Sequence, residues 1–245
     1  MFDRIAIIGC GLIGSSVLRR LKKNRSIKKL VTYDNDKSVT NIIEKENLSD
    51  EIALSPSEAV KNSDLVLIST PMRSFESVIN SIKDNLKPGS ILTDTCSVKH
   101  GVNNIVKKIN LKNSIWIPGH PVAGTEKSGP SAGFSDLFQD RWTIITPDKK
   151  IKDSDIKKII LFWESMGSKV KIMSVDEHDK ILSLTSHLPH AIAYNIVRTV
   201  MGDDEKSNND IIRYSAGGLR DFTRIAASDP NMWKDIFIDN SSLII

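Results

Sequence analysis

The chain has 245 residues, 40% of them hydrophobic and 26% charged, a balance that supports one large or two modest folded domains without covalent staples. The net charge of +4 comes from scattered lysines with no basic block interleaved with aromatics, which argues against nucleic acid and suits a small anionic substrate equally well. Two cysteines, Cys10 and Cys96, allow no disulfide framework or zinc motif. No run approaches the ~18 apolar residues of a membrane span, and the N-terminus has no signal-peptide layout, so the expectation is a cytoplasmic protein.

In chain order, Arg4 to Ile8 reads as a short buried strand, Gly9 to Gly14 as a tight turn, and Leu12 to about Lys23 as a helix. Leu30 to Tyr33 is a second strand closed by Asp34-Asn35-Asp36, followed by a helix toward Asn47. Ser55-Pro56-Ser57-Glu58 is a capping box with proline at the first helical position. Leu65 to Ser69 is an apolar strand that stops at Thr70-Pro71, and Lys87 to Ser90 is a turn before a strand from Ile91 to Asp94. Ser114 to Ile117, Thr143 to Ile145 and Lys169 to Met173 complete the strand patterns. Short strands alternating with helices predict βαβ units and a mostly parallel sheet.

After Met173 the pattern changes. Ser174-Val175-Asp176-Glu177 is a second capping box and opens a long helical stretch to about Met201, which Pro189 should kink. Gly202 to Asn209 reads as a polar loop, and helix follows to the end. The expected architecture is an α/β Rossmann-type dinucleotide-binding domain over residues 1–173 and an all-α domain over residues 174–245.

Gly9-Cys10-Gly11-Leu12-Ile13-Gly14 matches GxGxxG. The motif is weak alone, but here it follows a strand, opens a helix and has Asp34 twenty positions after Gly14. Gly9 permits the turn, Gly11 lets the backbone approach a pyrophosphate, and Gly14 lets helix and sheet close together. The helix N-terminus, with Leu12 and Ile13 in its first turn, offers N–H groups to the phosphates. Asp34 is placed to accept from ribose hydroxyls and to repel a 2′-phosphate, favouring NAD over NADP. The blander alternative is a structural glycine turn with a surface aspartate. Ser69, Thr70 and Pro71 end a strand and should lie beside the cofactor, because ligands of such sheets sit at strand carboxyl ends.

His120 follows a strand, which places it where a catalytic group would face the nicotinamide. His187 and His190 are three apart, a spacing open to metal, but no third ligand is near and no metal is expected. His178, at a charged helix start, reads as solvated. His100 receives no role, and Arg73 is open between surface charge and cofactor contact. Trp116, Trp142 and Trp163 read as core. Cys96 neighbours Ser97 and invites a nucleophile reading.

The segments Gly119 to Gly129 (GHPVAGTEKSG), Ser186 to His190 (SHLPH), Gly217 to Trp233 (GGLRDFTRIAASDPNMW) and Asp94 to Lys99 (DTCSVK) together resemble the prephenate/arogenate dehydrogenase family of tyrosine biosynthesis. The resemblance runs from the first strand almost to the last residue. It implies an NAD-dependent oxidative decarboxylation: a cyclohexadienol gives hydride to NAD and loses its ring carboxylate as carbon dioxide, forming 4-hydroxyphenylpyruvate from prephenate or tyrosine from arogenate. Carried over by motif, His120 is the base that takes the hydroxyl proton, and Ser97 shares that hydroxyl. Arg224 binds a substrate carboxylate, His190 also binds substrate, and Glu126, Asp221 and Trp233 form the pocket. No covalent intermediate is implied, which argues against Cys96 as a nucleophile. The helical domain is expected to form a homodimer. Family members usually continue beyond a point equivalent to Ile245, so a short or truncated C-terminus is expected, as is a monofunctional enzyme without chorismate mutase or ACT segments.

Two other functions fit parts of the pattern. A β-hydroxyacid dehydrogenase or imine reductase shares the two-domain plan but relies on a lysine in the helical domain. A non-catalytic NAD-sensing protein would keep the glycine loop and lose the acid–base groups. The joint presence of Ser97, His120, His190 and Arg224 weighs against both.

Overall fold

The computed structural model describes residues 2–25, 27–111, 114–202 and 217–244. Six strands form one parallel sheet: β1 (Arg4–Ile8), β2 (Lys29–Tyr33), β3 (Glu51–Ile52), β4 (Leu65–Ile68), β5 (Ile91–Asp94) and β6 (Ile115–Trp116), in the order β3-β2-β1-β4-β5-β6. That order is the doubly wound dinucleotide-binding order, and it reverses between β1 and β4. Ile8 is registered with Tyr33 on one side and Ile68 on the other, so the loops after β1, β2 and β4 open at one edge.

Alternation along β1 explains the layers. Ile5 and Ile7 pack with Val17, Leu18 and Leu21 of α1 (Leu12–Asn24) and with Phe162 and Trp163 of α6 (Asp153–Ser165). Ala6 and Ile8 face Phe75, Ile79 and Ile82 of α4 (Met72–Ile82) and Val102 and Val106 of α5 (Lys99–Lys108). Both sheet faces are therefore covered, as a parallel sheet requires. The two shorter helices are α2 (Lys37–Lys45) and α3 (Pro56–Ala59). The expected cap at α3 forms, with Ser55 Oγ accepting from the Glu58 N–H at 3.2 Å.

The structure differs from the sequence reading after β6. The remaining strands do not extend the parallel sheet but make a second one from β7 (Gly119–Pro121), β8 (Trp142–Ile145) and β9 (Lys169–Ile172), with β7 antiparallel to β8 and β8 parallel to β9. His120 is accordingly not at a strand's carboxyl end. It lies inside β7, opposite Ile144, just beyond the end of β6. Trp142, read as core, is 52% exposed, because the first residue of β8 projects from the small sheet, whereas Trp163 is fully buried.

The described residues after β9 are helical: α7 (Val175–Leu182), α8 (Leu188–Met201), α9 (Gly217–Ala226), α10 (Pro230–Asp239) and α11 (Ser241–Ile244). The capping box holds, Ser174 Oγ accepting from Glu177 N–H at 3.1 Å. The helical run continues through Pro189. The segment Ser183–His187 widens into a π turn, and Pro189 falls in the first turn of α8, where its missing N–H and ring are accommodated. The loop expected at 202–209 lies, beyond Gly202, outside the described residues.

Candidate active site

The glycine turn has the geometry its spacing predicts. Gly9 adopts φ +88°, and a Cβ there would come within 2.5 Å of the Ser69 carbonyl oxygen, so β1 and β4 approach too closely for a side chain. A Cβ on Gly14 would collide with the Gly9 carbonyl, which shows how tightly α1 sits on the strand end. Gly11 is the opposite case. A Cβ there meets nothing within 4 Å, and no side chain caps α1. Open space thus lies over a helix N-terminus with uncapped N–H groups, the cradle a pyrophosphate fits. Asp34, at the end of β2, accepts from Cys10 N–H at 2.7 Å and Asp36 N–H at 3.0 Å, which ties it to the glycine turn. At the end of β4, Ser69 Oγ accepts from Thr95 Oγ at 3.1 Å, and the Thr70 hydroxyl is buried with no partner among the described residues. Ser69, Thr70 and Pro71 therefore border the switch point, as expected.

A second cluster lies where α5 and α7 meet β5 and β7. Lys99, fully buried, places Nζ 2.5 Å from Asp94 Oδ2 and 2.5 Å from the Gly119 carbonyl oxygen. Asp94 Oδ1 accepts from Gly119 N–H at 3.0 Å, so the residue before His120 is clamped from both sides. His120 Nδ1 is 2.9 Å from His178 Nε2, and His178 Nδ1 is 2.7 Å from Asp179 Oδ1. Asp179 also accepts from the backbone N–H groups of Lys99 (2.8 Å) and His100 (2.9 Å), the first two residues of α5. A carboxylate thus caps the positive end of that helix. Its other contact, His100 Nδ1 at 2.8 Å, leads outward to Asp176, 2.9 Å from His100 Nε2.

Burial first, then His178, Lys99 and His187, push the His120 imidazole well below its ordinary pKa. Burial also lowers His178, outweighing the opposite pull of Asp179. For Asp179 burial would raise the carboxyl, but the hydrogen bonds from His178 and from the N–H groups of Lys99 and His100 win and hold it at about 2. The cluster is therefore two neutral imidazoles on one fixed anion at neutral pH. The Cys96 thiol is pushed well up by burial and by Asp94, so it stays protonated, in accord with its exclusion as a nucleophile.

The same network reaches the helical residues. The Asn240 amide donates to the Asp179 carbonyl oxygen (3.1 Å) and to His187 Nδ1 (2.9 Å). Trp233 packs edge-on to His187, and His190 stacks on it with ring centroids 3.6 Å apart. The Nε2 atom of His187 and Nε1 of Trp233 are buried without partners among the described residues. Burial lowers His187 to about 4, keeping it neutral, and with Nδ1 accepting from Asn240 its Nε2 carries the hydrogen.

The structure thus brings together His120, His190 and Trp233 of the expected site residues, and places Ser97 in the loop between β5 and α5, two residues before Lys99. It does not connect the others to this cluster. Glu126 is exposed in the turn after β7, and Asp221 and Arg224 are exposed on α9. His178 corrects the sequence reading outright: it is fully buried and bound to His120, not solvated. The missed signal was helical spacing, since His178 and Asp179 lie one turn before Leu182 and Ser183 on the buried face of that helix. His100, given no role, turns out to hold Asp179.

A doubly wound sheet with this glycine turn and Asp34 at the end of β2 defines a dinucleotide-binding protein. Residues 17–172 match the family model described as prephenate dehydrogenase, nucleotide-binding domain, and residues 174–245 match prephenate dehydrogenase, dimerization domain. A cyclohexadienyl dehydrogenase of Zymomonas mobilis is 42% identical over 245 residues, covering all of this chain and 83% of that protein. A prephenate dehydrogenase of Bacillus subtilis is 30% identical over 246 residues, and this chain spans 66% of its length. The crystal structure of prephenate dehydrogenase from Aquifex aeolicus in complex with hydroxyphenyl propionate and NAD+ superposes with a TM-score of 0.87 at 32% identity, covering 100% of this chain and 85% of that one. The chain belongs to the prephenate dehydrogenase family, and is a dehydrogenase of tyrosine biosynthesis by that membership. Among the described residues no helix is long and apolar enough to cross a membrane.

Proposed function

We propose that this chain oxidises prephenate, arogenate or both with NAD, using His120 as the base. The observation that carries the reading is the polarity of the buried chain His120–His178–Asp179. Asp179 is an anion and only accepts, so His178 donates from Nδ1 and accepts at Nε2, and His120 donates from Nδ1. That leaves the lone pair of His120 on Nε2, the ring edge free to take a proton from a substrate hydroxyl. NAD supplies the hydride acceptor when bound. The chain's own residues orient the dienol, withhold water and receive one proton. Aromatisation on loss of carbon dioxide drives the rest.

The other roles rest on motif match. Ser97 shares the hydroxyl, His190 and Trp233 present a stacked wall to the ring, and Arg224 pairs with a carboxylate, with Glu126 and Asp221 at the rim. The exposed apolar residues Ile192, Phe222, Met232, Ile238 and Leu243 are the surface through which residues 174–245 would pair two copies, with residues 1–173 as the nucleotide-binding unit. Initial rates of NAD reduction with each substrate test the whole. Turnover with either supports the reading, and NAD binding without turnover on both contradicts it and favours a sensor.

Two variants test the roles singly. Arg224→Ala raises KM for the anionic substrate by about 10-fold or more, the loss of a charge-assisted pair. An effect confined to NAD affinity would remove Arg224 from substrate binding. Asp34→Ala erodes the preference for NAD over NADP, because the carboxylate that repels a 2′-phosphate is gone. An unaltered ratio of kcat/KM for the two cofactors would remove the ribose contact.

A further inference from the structure

We infer that His178 and Asp179 form a positioning pair that fixes the tautomer of His120 and shares the proton it takes, with His100 and Asp176 as the pair's solvent end. The inference rests on His120 being the base. It starts from three contacts in line: His120 Nδ1 to His178 Nε2 at 2.9 Å, His178 Nδ1 to Asp179 Oδ1 at 2.7 Å, and Asp179 Oδ2 to His100 Nδ1 at 2.8 Å. His120, His178 and Asp179 are buried, while His100 is about half exposed.

A buried imidazole is a poor proton acceptor unless something compensates the charge it gains. The charged and titratable groups around the two rings are Lys99 on α5, Asp94 at the end of β5, His187 in the π turn, and Asp179 on α7, with Asp239 of α10 acting on Asp179 from the far side. Of these, Lys99 opposes a cation and Asp94 already faces Lys99 at 2.5 Å. Asp179 is the anion aligned with the rings, and the α5 N-terminus keeps it ionised. When His120 Nε2 takes the hydroxyl proton, its Nδ1 proton can pass to His178 Nε2 while the His178 Nδ1–H stays on the carboxylate. One proton enters and none is lost, and the positive charge moves one ring nearer the anion. Asp179 itself stays unprotonated, so its part is to hold and stabilise, as a carboxylate does behind a catalytic histidine.

The test compares His178→Gln with His178→Phe, measuring kcat, both KM values, NAD affinity and melting temperature beside His120→Asn. The glutamine Oε1 occupies about the place of Nε2 and accepts from His120 Nδ1, keeping the tautomer. Phenylalanine fills the space and leaves Nδ1 unpaired. Glutamine is expected to retain kcat within about 10-fold, and phenylalanine to lose about 100-fold or more, with NAD affinity unchanged in both. In Asp179→Asn the anion that favours a charged pair is absent, so the acid limb of kcat/KM moves to lower pH as kcat falls. This arm also decides if the phenylalanine variant does not fold. Equal kcat in the two His178 variants, or an unmoved acid limb, overturns the inference. Wild-type turnover in His120→Asn instead overturns the base assignment beneath it.

Discussion

Replacing His120 by asparagine is expected to lower kcat by about 10²–10⁴ while NAD affinity stays near the wild-type value. Asparagine is the informative choice because its amide nitrogen falls near the place of Nδ1. It can still donate to His178 Nε2, so the buried contact survives and the ring edge that carries the lone pair does not. Alanine would instead leave His178 Nε2 unpaired and mix a stability defect with a chemical one. NAD affinity is a fair control, since the glycine turn and Asp34 stand on other strands and share no hydrogen bond with β7. Absorbance of the reduced cofactor gives kcat, and titration of NAD against protein fluorescence gives affinity. An unchanged kcat would take the base role from His120. A loss of affinity equal to the loss of rate would make the residue part of the cofactor cradle.

What the sequence disclosed follows the range of the interactions that set it. Gly14, Ser55 and Ser174 answer to neighbours within a few positions, and their turn and caps form as their spacing predicts. The parallel strands were legible because each is a short apolar run between helices. Their order was not, since β3 is two residues long and pairs at the edge, with no apolar run to announce it. The second sheet was hidden for a related reason: β7, β8 and β9 are three to four residues long, and their pairing joins Gly119 to Ile145 across a long loop and Trp142 to Lys169 across α6. The site shows the same division. His120 was legible from its motif, but its ring partner, His178, comes from 58 positions away. Periodicity would have placed it on the inner face. It could not have said that the inner face there holds a second imidazole.

Lys99→Met is expected to destabilise the fold by about 3–5 kcal/mol, the usual consequence of removing one partner from a buried ion pair. Lys99 and Asp94 are both fully buried, and the ammonium reaches Asp94 Oδ2 and the Gly119 carbonyl oxygen at 2.5 Å each. Methionine matches the volume of the stem and supplies no donor. Asp94 would keep two backbone N–H groups, from Cys96 at 2.9 Å and Gly119 at 3.0 Å, but its charge would lose its counterion, and the Gly119 carbonyl its partner. Urea denaturation measures the loss, and a value within about 1 kcal/mol of wild type would mean the pair carries no more than an exposed one. The double variant Asp94→Asn/Lys99→Met removes both charges, and recovery of part of the stability relative to Lys99→Met is expected, because an unpaired carboxylate is worse than no pair. Activity should not recover with it. The pair joins the loop that carries Ser97 to the strand that carries His120. A neutral substitute that restores packing leaves those two placements without their common anchor, so stability and kcat should part company in the double variant.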